Sequence, residues 1–139
     1  MEQERFVLDS YALLAFLEGE EGQEEVERLL KRASGGHCQL LMSVVNLGEV
    51  AYITERERGL PTVHEILARV DELPIQIVDA DRAHALAAAH IKAQVPVAYA
   101  DCFAAALAEL ESATIVTGDP EFIQLETASL VRVTWLGAA

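Results

Sequence analysis

The strongest constraint on the fold is a rhythm. Short apolar runs, which do not alternate with polar residues, are separated by longer segments of helical character. Residues 5–8, 38–42, 75–78, 114–116 and 130–135 read as strands. Residues 11–17, 23–33, 44–58, 62–73, 81–92 and 101–111 read as helices. Gly19 and Gly22 punctuate the first pair, and Ser34-Gly35-Gly36 stops the second helix. Gly59 and Pro61 close the third, and Thr62 is placed to cap the fourth. Strands without alternation are expected in a parallel sheet covered on both faces. With helices between them, they predict an α/β fold of three layers, α/β/α, in one domain over residues 1–139. In such sheets ligands gather outside the carboxyl ends of the strands.

Bulk properties remove several classes. Residues 83–108 form the longest apolar stretch, but His84, His90, Lys92, Gln94, Pro96 and Asp101 interrupt it, so no membrane-spanning segment is expected. The opening Met-Glu-Gln-Glu-Arg is acidic where a secretory signal needs a basic flank. Cys38 and Cys102, the two cysteines, form no CxxC and read as buried thiols in a reducing cytoplasm. The four histidines show no metal-binding spacing, and His84 and His90 on an Ala-rich helix read as packing or surface residues. The net charge of −13 opposes nucleic-acid binding, because a phosphate backbone favours a basic face. Part of that charge is one run, Glu18, Glu20, Glu21, Glu24, Glu25 and Glu27, which reads as a solvated helix face.

Four other carboxylates stand in unusual surroundings. Asp9 follows the first strand in Phe-Val-Leu-Asp-Ser. Glu49 shares an i, i+4 row with Val45 and Ile53 and breaks an apolar stripe. Asp101 opens an apolar helix, Asp-Cys-Phe-Ala-Ala-Ala-Leu-Ala, and Asp119 follows the fourth strand in Thr-Ile-Val-Thr-Gly-Asp-Pro-Glu-Phe. Each has a plainer role available: Asp9 and Asp101 as helix caps, Asp119 as a helix start before Pro120, and Glu49 as the partner of an arginine. In a doubly wound sheet, however, all four fall along one edge. Gathered carboxylates repel and lose hydration, so they need a cation. Oxygen-only ligands suit Mg²⁺ or Mn²⁺, which can activate water and stabilise charge on a phosphodiester.

Phe-Val-Leu-Asp-Ser-Tyr-Ala-Leu-Leu-Ala-Phe-Leu resembles the first motif of PIN domains. Asn-Leu-Gly-Glu-Val resembles the second, Tyr-Ala-Asp-Cys-Phe-Ala-Ala-Ala-Leu-Ala the third, and Thr-Ile-Val-Thr-Gly-Asp-Pro-Glu-Phe the fourth. They occur in the family's order over nearly the whole chain. The resemblance implies a sheet of order 3-2-1-4-5 and an endoribonuclease acting on single-stranded RNA with Mg²⁺ or Mn²⁺. It assigns Asp9, Glu49, Asp101 and Asp119 to catalysis and to the metal, with Ser10 and Thr117 as hydroxyls beside them. At this length the chain is most similar to VapC-type toxins, which implies a cognate antitoxin and a homodimer. Arg5, Arg82 and Lys92 are the candidates for RNA contacts. Tyr11, Tyr52, Tyr99 and Trp135 are candidates for base stacking, with core packing as the plainer role.

Three other classes fit less well. A haloacid-dehalogenase-like phosphatase needs a second Asp where Tyr11 stands. A receiver domain would use Asp79 but lacks its strand-end Lys. An inactive PIN-like binding module has no need of the complete acidic set.

Overall fold

In the computed structural model, which describes residues 3–137, five strands form one all-parallel sheet. They are β1 (Glu4–Leu8), β2 (Cys38–Ser43), β3 (Ile75–Val78), β4 (Thr114–Thr117) and β5 (Val133–Trp135), in the order β3-β2-β1-β4-β5. Val7 pairs with Leu41 on one side and Ile115 on the other, so β1 lies between β2 and β4. Met1 and Glu2 of the acidic opening, and Ala138 and Ala139, lie outside the described residues.

The period of two along a strand sends alternate residues to opposite layers. Phe6, Leu8, Leu40 and Val116 pack with residues of α1 (Ser10–Glu18) and α2 (Gln23–Ser34). Val7, Leu41 and Ile115 face α5 (Arg82–Gln94), α6 (Tyr99–Glu111) and α7 (Phe122–Thr127). Both faces are covered, which is why the strands are mainly apolar and do not alternate, with exposed Gln39 and Gln76 as exceptions. A third cluster, around Met42, Val50 and Val70, closes the β3 side with α3 (Val44–Arg58) and α4 (Leu60–Asp71). Every residue from Asp101 to Ala108 on α6 is buried. Its alanines let this helix lie against α5 and the sheet with little rotamer entropy to lose.

Several expected boundaries shift by a residue or two, and four differences have a clear physical reason. α4 begins at Leu60, before Thr62, and Pro61 lies in its first turn, where the missing N–H has no partner to lose. The Thr62 hydroxyl bonds back to the Arg58 carbonyl at 3.3 Å and caps nothing. α6 starts at Tyr99, so Asp101 sits inside the first turn. The short α7 has no counterpart among the expected helices; buried Phe122 and Leu125 anchor it. β5 is confined to 133–135, because Leu130 still bonds back to Leu125. Among the described residues, no helix is long and apolar enough to cross a membrane.

The order of the sheet places the site. From β1 the chain leaves through α1 and α2 toward β2, whereas β4 is reached through α5 and α6 on the opposite face. The carboxyl ends of β1 and β4 therefore meet at the topological switch point, the place where such sheets hold ligands.

Candidate active site

Asp9 is the first residue beyond β1 and is 2% exposed. Its Oδ1 accepts from the Ala12 N–H at 2.9 Å, capping α1. Its Oδ2 accepts from the Thr117 hydroxyl at the end of β4. The capping role and the place in the acidic group thus coexist, one oxygen to each. Thr117 also accepts from the Asp119 N–H at 3.0 Å, so one hydroxyl joins the acids of two strand ends. Burial pushes the Asp9 carboxyl up to about 7, opposed by the bonds from Thr117 and Ala12, and raised further by Asp119 and Glu49.

Glu49 lies on α3, half-buried, and its Oε1 accepts from the Ser10 hydroxyl. Ser10 is also 3.2 Å from the Asn46 carbonyl. Asn46, one turn before Glu49 and fully buried, donates to the Ala100 carbonyl at 3.2 Å. It therefore ties α3 to the first turn of α6, next to Asp101. The Asn46 Oδ1 is buried without a hydrogen-bond partner.

Asp101 is 7% exposed, and its Oδ2 likewise has no partner. Burial raises its carboxyl to about 8, aided by a hydrogen bond shared with the Glu121 carboxyl and by the negative charge of Asp119, Glu121 and Glu49. Its position in the first turn of α6 gives it a favourable helix dipole, yet desolvation and like charge outweigh that. Asp119 follows β4 in an Asx turn, its Oδ1 accepting from the Glu121 N–H at 3.0 Å. Ligand oxygens of Asp101, Asp119 and Glu121 lie within 4.8 Å of one another.

The four carboxylates expected from the sequence thus share one electrostatic site. Asp101 and Asp119 approach to metal-ligand spacing, while Asp9 and Glu49 stand behind them, held by Thr117 and Ser10. Glu121 and Asn46 were not foreseen. The signals available were the i, i+2 spacing of Asp119 and Glu121 and the i, i+3 spacing of Asn46 and Glu49. Among the described residues, no ion pair involves any of these five acids.

The Tyr11 ring lies against Gly118, where a Cβ would meet Cε1 at 2.4 Å. Tyr11 is 40% exposed, so an aromatic surface borders the loop that carries Asp119. Of the basic candidates, Arg5 is at the far end of β1 and pairs with Glu111 at 3.3 Å, well away from the acids. Arg82 begins α5 and is exposed. Lys92 donates to the Val97 carbonyl at 2.5 Å, in the loop entering α6.

An all-parallel α/β sheet with an acidic cluster at its switch point is the architecture seen here, and it has relatives. The family model for the PIN domain matches residues 6–127, and the chain belongs to that family. No curated protein matches its sequence. Among solved structures, the chain is similar to one from the VapBC2 complex of Rickettsia felis bound to a promoter DNA fragment. The TM-score is 0.76 at 14% identity, covering 95% of this chain and 98% of that one. A chain of the DNA-bound VapBC complex of Salmonella typhimurium gives 0.73 at 19% identity, with 95% and 98% covered. VapC20 of Mycobacterium tuberculosis, a sarcin-ricin-loop-cleaving toxin, gives 0.70 at 13% identity, with 92% and 98% covered. At these identities the likeness is one of fold.

Proposed function

We propose that the chain is a single PIN domain acting as a divalent-metal-dependent endoribonuclease, the toxin of a toxin–antitoxin pair. The observation that carries this reading is the buried, unpartnered Oδ2 of Asp101 beside Asp119. A carboxylate oxygen withdrawn from water and left without a donor is costly, and a cation supplies what is missing. The donors are all oxygens, which fits Mg²⁺ or Mn²⁺ better than zinc or copper. Asp101 and Asp119 would hold the ion, with Asp9 and Glu49 adding negative charge around it.

When bound, such an ion lowers the pKa of a water and neutralises charge gathering on a phosphodiester. The chain's own residues prepare the place. Thr117 and the α1 backbone fix the Asp9 carboxylate, and Ser10 orients Glu49. Asn46 holds α3 against the turn that presents Asp101. Asp9 and Glu49 are thereby set before substrate arrives, which lessens the reorganisation left for the reaction itself.

RNA as substrate is supported by the likeness to a sarcin-ricin-loop-cleaving toxin, and an antitoxin partner by the likeness to chains of VapBC complexes. We further infer a homodimer in the cytoplasm. The test is cleavage of an unstructured RNA by purified protein. Cleavage is expected in Mg²⁺ or Mn²⁺, and its loss is expected in EDTA and in Asp101→Asn. Cleavage that persists under both conditions overturns the proposal, and no cleavage in any metal favours a binding role for the fold.

A further inference from the structure

We propose that Glu121 is a cation ligand of this centre, completing a set of three carboxylates with Asp101 and Asp119. The proposal rests on the metal-centre reading above and adds a residue that the four-acid motif does not contain.

Two independent observations carry it. The first is geometric: one oxygen from each of the three residues lies within 4.8 Å of the others. The second is the Asp101 Oδ2, on a residue only 7% exposed, which no N–H or hydroxyl of the protein reaches; the side chain that does meet the Asp101 carboxyl is the Glu121 carboxyl. Glu121 is itself exposed and makes no cap bond to α7; its side chain turns instead to the Asp101 carboxyl. The backbone explains how it comes to stand there. Pro120 restricts the turn, and the Glu121 N–H donates to Asp119 Oδ1 at 3.0 Å, so the acids at 119 and 121 leave the same short loop. Asp101 meets them from the first turn of α6. Three single oxygens from two separate elements, one deep, one intermediate and one at the surface, leave further positions for water. That arrangement suits Mg²⁺ or Mn²⁺, which keep several waters when bound by protein carboxylates. Glu121, the outermost of the three, would be the ligand on the side from which the ion enters.

The test is a Mn²⁺ titration of the intact chain, followed through the electron paramagnetic resonance of free Mn²⁺. Glu121→Gln is expected to weaken binding about tenfold or more, the scale on which residues around metal sites act. Glu109→Gln, a surface charge on α6, controls for long-range electrostatics in a chain of net charge −13 and should change affinity less than about twofold. Glu121→Asp retains the charge but shortens the arm, so it should lose part of the affinity. Melting in EDTA verifies that the variants fold. Equal Mn²⁺ affinity in Glu121→Gln and wild type overturns the proposal while leaving the metal centre standing. A Glu121→Gln loss that Glu109→Gln reproduces overturns it too, since charge alone would explain it. Wild type that takes up no Mn²⁺ overturns the metal centre, and this proposal with it.

Discussion

The burial of Asp101 works against the folded state once the carboxyl must ionise. Its folded carboxyl holds a proton up to about 8, against 3.8 for an ordinary Asp. A raised folded-state pKa favours the folded state most at low pH, and the advantage is lost as pH rises through 3.8 toward 8. In EDTA, therefore, the melting temperature should fall between pH 5 and pH 8. Asp101→Asn should flatten that fall and be the more stable protein at pH 8, by about 1 kcal/mol or more, since a tenfold change in proton affinity is worth about 1.4 kcal/mol. Thermal melts of both proteins across this range check it. An Asn variant less stable at every pH would make Asp101 a structural residue. That the four motif acids gather was legible because Asp9 and Asp119 follow strands, Asp101 opens an apolar helix and Glu49 breaks an apolar stripe. Glu121 was not, because Asp-Pro-Glu is ordinary turn composition and an exposed acid carries no signal of its own. Asn46 was hidden for another reason: its partners, Ser10 and Ala100, are 36 and 54 residues away.

Elements were more legible than their ends. α3 was expected over 44–58 and spans Val44–Arg58, because Ser43 caps it and Gly59 stops it, both through local chemistry. Its neighbour α4 was misjudged at its start, since Pro61 serves as well inside a first turn as after a last one, and Gly59 at φ 89° ends one helix and begins the next. Within α3, Gly48 is exposed, and a Cβ there would meet nothing within 4 Å. Gly48→Ala should then stabilise the protein by about 0.5–1 kcal/mol through helix propensity alone. Urea denaturation gives the comparison. Higher stability with unchanged RNA cleavage is the expected result; higher stability with impaired cleavage would mark Gly48, next to Glu49, as a place where another backbone approaches closely.

For the whole molecule, the acidity foreseen as an obstacle to RNA binding is real, and the fold does not hide it. Arg5 points its charge to the wrong end of the sheet, and Lys92 is the basic candidate nearest the α6 turn. Binding of single-stranded RNA by Asp101→Asn in constant Mg²⁺ should hence depend weakly on salt. With about two phosphate contacts, log K should fall against log salt with a slope of about −1.5, compared with about −5 for seven contacts. Fluorescence anisotropy between 50 and 200 mM KCl, a range of ordinary ionic strengths, separates the two, and a steep slope would show that a basic surface is assembled from elsewhere. The sheet order adds a consequence in time. Asp9 meets its Thr117 partner across 108 residues, and β1 has no β4 beside it until that stretch has been made. At 5–20 residues per second, a ribosome needs roughly 5–20 s to cover it. Throughout that interval the growing chain carries Asp9 and Glu49, and later Asp101, without the strand that would gather them. On the proposed function, a message still being translated is thus not exposed to a finished centre on its own nascent product until β4 and the loop carrying Asp119 have been made.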